Sequence, residues 1–383
     1  MKFVFWQNVI SIHQSAFIKA LSEHHDVILV VAEKLTLNRS NDGWSIPNMG
    51  NVEIIVSPNE EQLSSIMAIP HSFHIFSGID AFPLVYYAFR KAVGLGVPIS
   101  VMAEPYKWDG IKGLLRRIKY TGLYFRYGKH INHLFTTGDM GLKCYMRVGF
   151  PQKKIHQWGY FTEQKESVQP VNENIDNASA SIGLDELVPL KVDGLIGGNQ
   201  PKVSKVKLIY VGRLDTNKNI LALLKRWNEF GNRVECFTIV GNGPLLEKIE
   251  SLAKEIPQIN VLGKLNNQDA TMLMGSHDYL ILPSLYDGWG AVVNEALSQG
   301  TRVLCSDACG ASILLDGKLR GEVFSQKDIS SIISKWSRVG PVSQLDRVEI
   351  RKWALSHISG RVAANYFVEI ISGGHPIAPW IAS

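Results

Sequence analysis

Short apolar runs alternate with helix-period segments twice along this chain, and that alternation leaves few folds open. Residues 26–32 read Asp-Val-Ile-Leu-Val-Val-Ala, apolar almost without interruption. A strand with one solvated face alternates polar and apolar residues. A continuous run instead predicts burial on both faces, as in a parallel sheet covered by helices. Further strands are predicted over 2–6, 52–56, 73–76, 98–102 and 134–136, with helices over 15–22, 84–93 and 140–148. A second series follows, with strands over 207–211, 236–240, 259–262, 279–282 and 302–305. Its helices are expected over 221–227, 244–253, 268–274 and 289–298. Parallel strands joined by right-handed crossovers give an α/β architecture. The sequence therefore predicts two doubly wound, Rossmann-like domains facing a cleft at the carboxyl ends of their strands.

The first domain is expected over 1–165 and the second over 206–352. Between them, 166–205 is polar, glycine-bearing and weakly periodic, as a linker or surface excursion would be. Residues 353–383 form a terminal segment, with a helix over 353–371. With 45% apolar and 20% charged residues among 383, each half can bury a core. Disordered, collagenous and coiled-coil chains are excluded on the same ground. Four cysteines exclude a disulfide-built scaffold and suit a reducing cytoplasm. Cys305 and Cys309 have no accompanying Cys/His pair, so no metal site is expected. No apolar run reaches the roughly 18 residues of a membrane span. Gln7, Asn8, Ser11, His13 and Gln14 interrupt any signal-peptide core, so the N-terminus reads as a first buried strand.

Three loops of the second series carry chemistry. In Val211-Gly212-Arg213-Leu214-Asp215-Thr216-Asn217-Lys218-Asn219 a strand ends at a glycine and two cations follow five apart, before a helix. Glycine permits a close backbone approach, Arg forks onto phosphate oxygens, and Lys adds a movable charge. A helix N-terminus behind them favours an anion. Taken alone, the same loop is equally a solvated turn with two surface cations. Ile239-Val240-Gly241-Asn242-Gly243-Pro244 is a strand-to-helix turn resembling half of a dinucleotide fingerprint, without its third glycine. In Leu282-Pro283-Ser284-Leu285-Tyr286-Asp287-Gly288-Trp289-Gly290 a carboxylate precedes a glycine-bounded helix start, and Glu295 follows eight positions later. Such a start exposes amides to an anion or a sugar, while Asp287 and Glu295 can accept hydrogen bonds from sugar hydroxyls.

Gly-Arg-Leu-x4-Lys-Asn at 212–219, Gly-x-Gly-Pro at 241–244 and Pro-Ser…Asp-Gly-Trp-Gly…Glu-Ala at 283–296 resemble the donor domain of family-4 retaining glycosyltransferases of the GT-B fold. The resemblance is strong over 206–315 and otherwise one of layout. It implies a nucleotide-sugar donor, UDP- or GDP-linked, held by the second domain, an acceptor held by the first, and no required metal. It implies that Arg213 and Lys218 bind the diphosphate and that Glu295 holds the ribose. Asp287 stands where the family has a Glu that contacts the transferred sugar. Gly288, Trp289 and Gly290 form the turn beside sugar and phosphate, with Gly212 and Gly241 in the flanking loops. Lys264 falls near the expected base pocket. In the resembling fold a terminal helix crosses back onto the first domain. After the first strand the family's glycines are missing, leaving side chains of Gln7, Asn8 or His13 to substitute. Glu104 stands near the family's catalytic His and is expected to face the reacting carbon. His71 and His74 are expected to be packed or surface histidines.

The net charge of +5 is unevenly placed. Lys107, Lys112, Arg116, Arg117, Lys119, Arg126 and Lys129 face only Asp109 in their stretch, interleaved with Trp108, Ile111, Leu114, Leu115 and Ile118. This is the pattern of an interfacial helix on anionic lipid, and also of a core helix with a basic outer face. On the first reading the acceptor is a glycan or polyprenyl-linked sugar at the inner leaflet, as in bacterial surface-polysaccharide assembly. The protein is then cytoplasmic or peripheral, with no nucleic-acid partner. Two other classes compete: a non-catalytic sugar-nucleotide-binding subunit, and an NAD-dependent oxidoreductase. The absence of Gly-x-Gly-x-x-Gly after the first strand speaks against the latter.

Overall fold

The computed structural model describes residues 1–36, 45–161, 205–328 and 340–381, so the expected polar excursion lies outside the described residues apart from Lys205. The first domain runs β1 (Lys2–Gln7), α1 (Ile12–Leu21), β2 (Asp26–Val31), β3 (Glu53–Val56), α2 (Glu60–Met67), β4 (Ser72–Ser77), α3 (Pro83–Leu95), β5 (Ile99–Ala103), α4 (Gly110–Tyr127), β6 (Ile131–Thr137), α5 (Gly138–Arg147) and β7 (Ile155–Trp158). The strands form one parallel sheet in the order β3-β2-β1-β4-β5-β6-β7. Residues 27–31 of β2 are fully buried, as the unbroken apolar run requires.

The second domain runs β8 (Val206–Val211), α6 (Ile220–Leu224), β9 (Val234–Val240), α7 (Leu246–Ala253), β10 (Ile259–Gly263), α8 (Asn267–Met274), β11 (Tyr279–Leu282), α9 (Ala291–Ser298), β12 (Arg302–Ser306) and β13 (Gly321–Phe324). Its parallel sheet has the order β10-β9-β8-β11-β12-β13. In each sheet the strand order reverses beside the first strand, between β1 and β4 and between β8 and β11. Crossovers diverge at such points and leave a crevice at the strands' carboxyl ends.

Helix α2 and strands β7 and β13 stand where no element was predicted, and three further elements differ from expectation. Strand β6 begins three residues earlier than its apolar run because Asn132, polar but paired, accepts the Ile99 amide at 3.0 Å across a bulge. The helix expected over 221–227 ends at Leu224, and a short 3-10 turn over Trp227–Glu229 follows. There Trp227 folds against Gly231, where a Cβ would lie 2.3 Å from the indole nitrogen. The single helix expected over 353–371 is two, α10 (Gln344–His357) and α11 (Gly360–Ile371), capped by Ser343 and Ser359. Helix α10 stays on the second domain through the buried Arg347–Asp278 pair at 2.9 Å. The chain therefore crosses at Ile358–Ser359, after the expected boundary at 352–353. Gly360 lets α11 seat directly on α1, since a Cβ there would lie 2.3 Å from the Ala16 carbonyl oxygen. Phe367 then stacks among Phe3, Phe17 and Phe135, and Trp380 closes over Phe161. Rings buried at this density fix the terminal segment to the first domain.

Candidate functional site

At the switch point of the second sheet the loop after β8 ties to the loop after β11. The Asn217 side chain donates to the Tyr286 carbonyl at 2.7 Å, and the Leu285 amide to the Asn217 carbonyl at 2.8 Å. This brings the Lys218 ammonium into contact with the Asp287 carboxylate, with both side chains mostly buried. Asp215 fixes the base of the loop. It accepts the Lys218 amide at 3.0 Å and pairs with Arg213 at 3.5 Å, leaving the Arg213 guanidinium exposed toward solvent. Two cations thus meet at the strand ends, each paired with a carboxylate, and an arriving anion would compete with Asp215 for Arg213 and with Asp287 for Lys218.

The glycines divide into two kinds. The Gly212 amide donates to Val240 at 3.0 Å and the Gly241 amide to Gly263 at 2.7 Å. A Cβ on Gly241 would lie 1.8 Å from the Gly212 carbonyl oxygen. Here glycine lets loop abut loop, and neither amide is left for a ligand. Gly290 serves differently: it opens α9 at φ 91°, in the left-handed region, and a Cβ would lie 2.7 Å from the Cys309 sulfur. No side chain caps this start: the Val293 amide donates to the Gly290 carbonyl at 2.9 Å, which leaves the Ala291 and Val292 amides for a ligand.

Trp289 is buried at the domain junction: its indole N–H donates to Asn294 Oδ1 at 2.8 Å, and a Cβ on Gly159, just after β7 of the first domain, would lie 2.7 Å from its ring. Glu295 is likewise buried, on the second turn of α9 with Asn267 as hydrogen-bond partner. Burial pushes its carboxyl up to about 7, against the opposing pull of the Asn267 bond. Lys264 is exposed just beyond β10, the edge strand of the sheet, away from the Lys218–Asp287 contact.

The first domain closes on this turn. The Thr137 hydroxyl donates to the Gly288 carbonyl at 3.0 Å, and the Tyr286 hydroxyl to the Pro105 carbonyl at 2.6 Å. A Cβ on Gly288 would lie 2.9 Å from Glu104 Oε2, so the Glu104 carboxylate reaches the turn from the opposite domain. The Tyr160 hydroxyl donates to that carboxylate, and the Tyr145 hydroxyl to the Glu104 carbonyl at 3.0 Å. Arg213, Lys218, Asp287, Gly288 and Glu104, read separately from the sequence, are thus gathered at the junction of the two domains. Tyr160, Thr137 and Tyr286 were missed. Tyr160 follows β7 and Thr137 ends β6, strands whose polar residues hid them, and only their place at parallel strand ends could have flagged them.

Below Glu104 a cavity of about 440 Å³ opens among the carboxyl ends of β1, β4, β5, β6 and β7. Gln7 and Asn8 line it, while His13 stacks on Tyr160 with ring centroids 5.0 Å apart. His74 lies inside the domain between Trp6 and Ser72, and burial lowers it to about 4, so it is a neutral packing residue. His71 is on the surface.

On the outer face, α4 leaves Ile111, Leu114, Leu115, Ile118 and Phe125 exposed. The first four follow the i, i+3, i+4, i+7 spacing of one helix face. Lys112, Arg116 and Arg117 are exposed among them, and Lys119 pairs with Asp80 at 2.9 Å. Trp108 is half-buried, with the Arg147 guanidinium 4.3 Å from its ring centre. It therefore belongs to the anchoring of the helix and not to its outer stripe. Among the described residues no helix is long and apolar enough to cross a membrane, and no cluster of three or more His, Cys, Asp or Glu could hold a metal ion.

Residues 205–339 match the family described as glycosyl transferases group 1. The match covers the second domain from β8 to beyond β13. An uncharacterized glycosyltransferase of Methanocaldococcus jannaschii is 27% identical over 33% of this chain and 33% of its own length. The chain spans about a third of the length of the curated relatives it matches. Across both domains it is similar to Anabaena HepE in complex with UDP, at TM-score 0.65 and 11% identity, over 97% of this chain and all of that one. It is similar in the same way to the lipopolysaccharide outer core galactosyltransferase WaaB, at TM-score 0.63 and 13% identity, over 97% and 99% of the two chains. The fold is GT-B, two Rossmann-like domains, with the family match in the second.

Proposed function

We propose that the chain is a retaining glycosyltransferase that moves a sugar from a UDP- or GDP-sugar to a glycan or lipid-linked acceptor. The observation that carries this reading is the meeting of the Lys218–Asp287 pair with Glu104 across the domain junction. Lys218 and Arg213 neutralise the diphosphate as it leaves, helped by the uncapped start of α9. The arriving diphosphate competes with Asp287 for Lys218 and frees that carboxylate to accept hydroxyls of the transferred sugar. Glu295 holds the ribose, and Lys264 borders the base. Glu104, held by Tyr160, faces the reacting carbon and stabilises the positive charge that develops there. The acceptor hydroxyl attacks from the face the nucleotide leaves, and the departing phosphate takes its proton.

HepE is described in complex with UDP and with UDP-glucose, and WaaB is named a lipopolysaccharide outer core galactosyltransferase. Those names favour a uridine nucleotide and an acceptor of the bacterial surface-polysaccharide kind. The outward apolar stripe of α4 with its cations suits the anionic inner leaflet, making the enzyme a peripheral one. A thermal-shift panel of UDP-, GDP-, ADP- and dTDP-sugars identifies the donor, because a ligand of the native state raises the melting temperature by mass action. Hydrolysis of that donor, abolished in Arg213→Ala, is the expected result. Stabilisation by a donor with no hydrolysis or transfer would instead mark a binding subunit.

A further inference from the structure

The three residues after β7, Gly159-Tyr160-Phe161, each meet a different part of the molecule. A Cβ on Gly159 would lie 2.7 Å from the Trp289 ring, so glycine lets this loop press against the turn after β11 in the other domain. The Tyr160 hydroxyl donates to Glu104 Oε1. Phe161 is buried, its ring centroid 5.2 Å from that of Trp158 and 5.2 Å from that of Trp380 in the terminal segment. The loop is pinned on either side of Tyr160.

A further hold comes from the start of α1. The Phe161 amide donates to the His13 carbonyl at 2.9 Å. The His13 ring lies flat on the Tyr160 ring, with centroids 5.0 Å apart and planes 11° apart. A ring clamped on one face, with the backbone fixed one residue on, keeps its hydroxyl in one place. Glu104 needs such a hold. It follows β5, which ends at Ala103, and a long side chain has much rotamer freedom to lose on being aimed. The Tyr145 hydroxyl fixes the Glu104 main chain, donating to its carbonyl at 3.0 Å. Tyr160 acts on the carboxylate itself: it takes Oε1, while Oε2 lies 2.9 Å from where a Cβ on Gly288 would stand.

We propose that Tyr160 is the positioning residue for Glu104 and that His13 seats Tyr160. Side chains from α1 and from the loop after β7 thus aim a carboxylate carried just beyond β5. His13 serves the site through Tyr160 and takes no part in holding the diphosphate. This inference rests on the reading of Glu104 as the group that faces the reacting carbon.

The test measures turnover of the nucleotide sugar selected by the thermal-shift panel, in wild type, Tyr160→Phe, Glu104→Ala and the double variant. Tyr160→Phe keeps the ring and removes the hydroxyl. It should lower kcat roughly tenfold or more, the effect of losing one hydrogen bond to a charged group, with donor KM unchanged. On top of Glu104→Ala the same change should cost less than about twofold, because no carboxylate remains to be aimed. His13→Ala should lower kcat roughly threefold or more, again at unchanged KM, and His13→Phe, which restores a flat ring, should recover most of that loss. Tyr160→Phe and His13→Phe keep their rings, so they carry the test should His13→Ala fold poorly. Unchanged kcat in Tyr160→Phe overturns the inference, as does an equal loss with and without Glu104. A raised donor KM in His13→Ala, or turnover not recovered in His13→Phe, overturns the part given to His13. Glu104→Ala separates the two claims. Full turnover there removes the reading of Glu104 and this inference with it. Lost turnover there, with full turnover in Tyr160→Phe, leaves that reading standing and removes this one.

Discussion

The two sheets present opposite chemistry at their carboxyl ends. The second offers two cations, Arg213 and Lys218, paired with Asp215 and Asp287, beside the helix start at Gly290. The first offers carboxylates, an amide and tyrosines, with no cation lining its cavity. On the proposed reading, the same doubly wound architecture holds the diphosphate in the second domain and the acceptor in the first. What distinguishes them is loop chemistry and not fold. The variants below bear on that division.

The largest effect is expected at Lys218. Lys218→Ala removes a charge from the leaving diphosphate and strands Asp287, so turnover should fall roughly 10²–10³-fold. Steady-state kinetics with the donor identified by thermal shift will show it. Glu104→Gln keeps the Tyr160 partner but removes the charge across the junction. Its kcat should fall roughly 10²-fold with donor affinity retained. An equal loss of donor affinity would place Glu104 on the donor side and blur the division.

Gly310→Ala follows. A Cβ there would lie 2.4 Å from the Gly288 carbonyl oxygen, so the turn carrying Asp287 must move. A loss of about 1–3 kcal/mol of stability is expected by chemical denaturation, with weaker donor binding at temperatures where the protein remains folded. Glu295 gives a pH signature. Its carboxyl is raised to about 7 in the fold from an ordinary value of 4.5. The folded state therefore favours the protonated form, and wild-type stability falls as pH rises from about 4.5 through 7. Glu295→Gln lacks that loss, so its melting temperature relative to wild type should climb between pH 5 and pH 8. A constant difference would show that the group is not perturbed.

The smallest effect on the fold belongs to the outer face of α4. Replacing Arg116, Arg117 and Lys119 together with Glu should abolish co-sedimentation with anionic vesicles. Stability should change by no more than about 1 kcal/mol, since only Lys119 has an ion-pair partner and that pair is half-exposed. Unchanged vesicle binding would leave the apolar stripe without its proposed lipid partner.

The donor side was legible because its chemistry is local. Gly212 to Lys218 and Asp287 to Glu295 each lie within one loop-to-helix unit, where spacing along the chain is also spacing in space. Even there the burial of Trp289 was not legible, since an aromatic residue inside a glycine turn looks the same whether it is exposed or packed. The cavity was not legible because its walls come from five strands separated by up to 150 residues, Gln7 to Tyr160. No run of sequence carries that pattern. Strands β6 and β7 were shortened or missed for a related reason: Asn132, His133 and His156 are polar, and pairing within the sheet satisfies them. The break at Ile358–Ser359 was hidden because two helices of matching period abut, and only the contact of Gly360 with Ala16 explains the turn between them.

Calorimetric titration with UDP and GDP tests the central claim most directly. The account predicts that one of them binds the wild-type protein, that Arg213→Ala and Lys218→Ala each weaken it tenfold or more, and that Gln7→Leu leaves it unchanged. Binding indifferent to both cations, or lost on changing Gln7, would contradict the assignment of the diphosphate to the second domain.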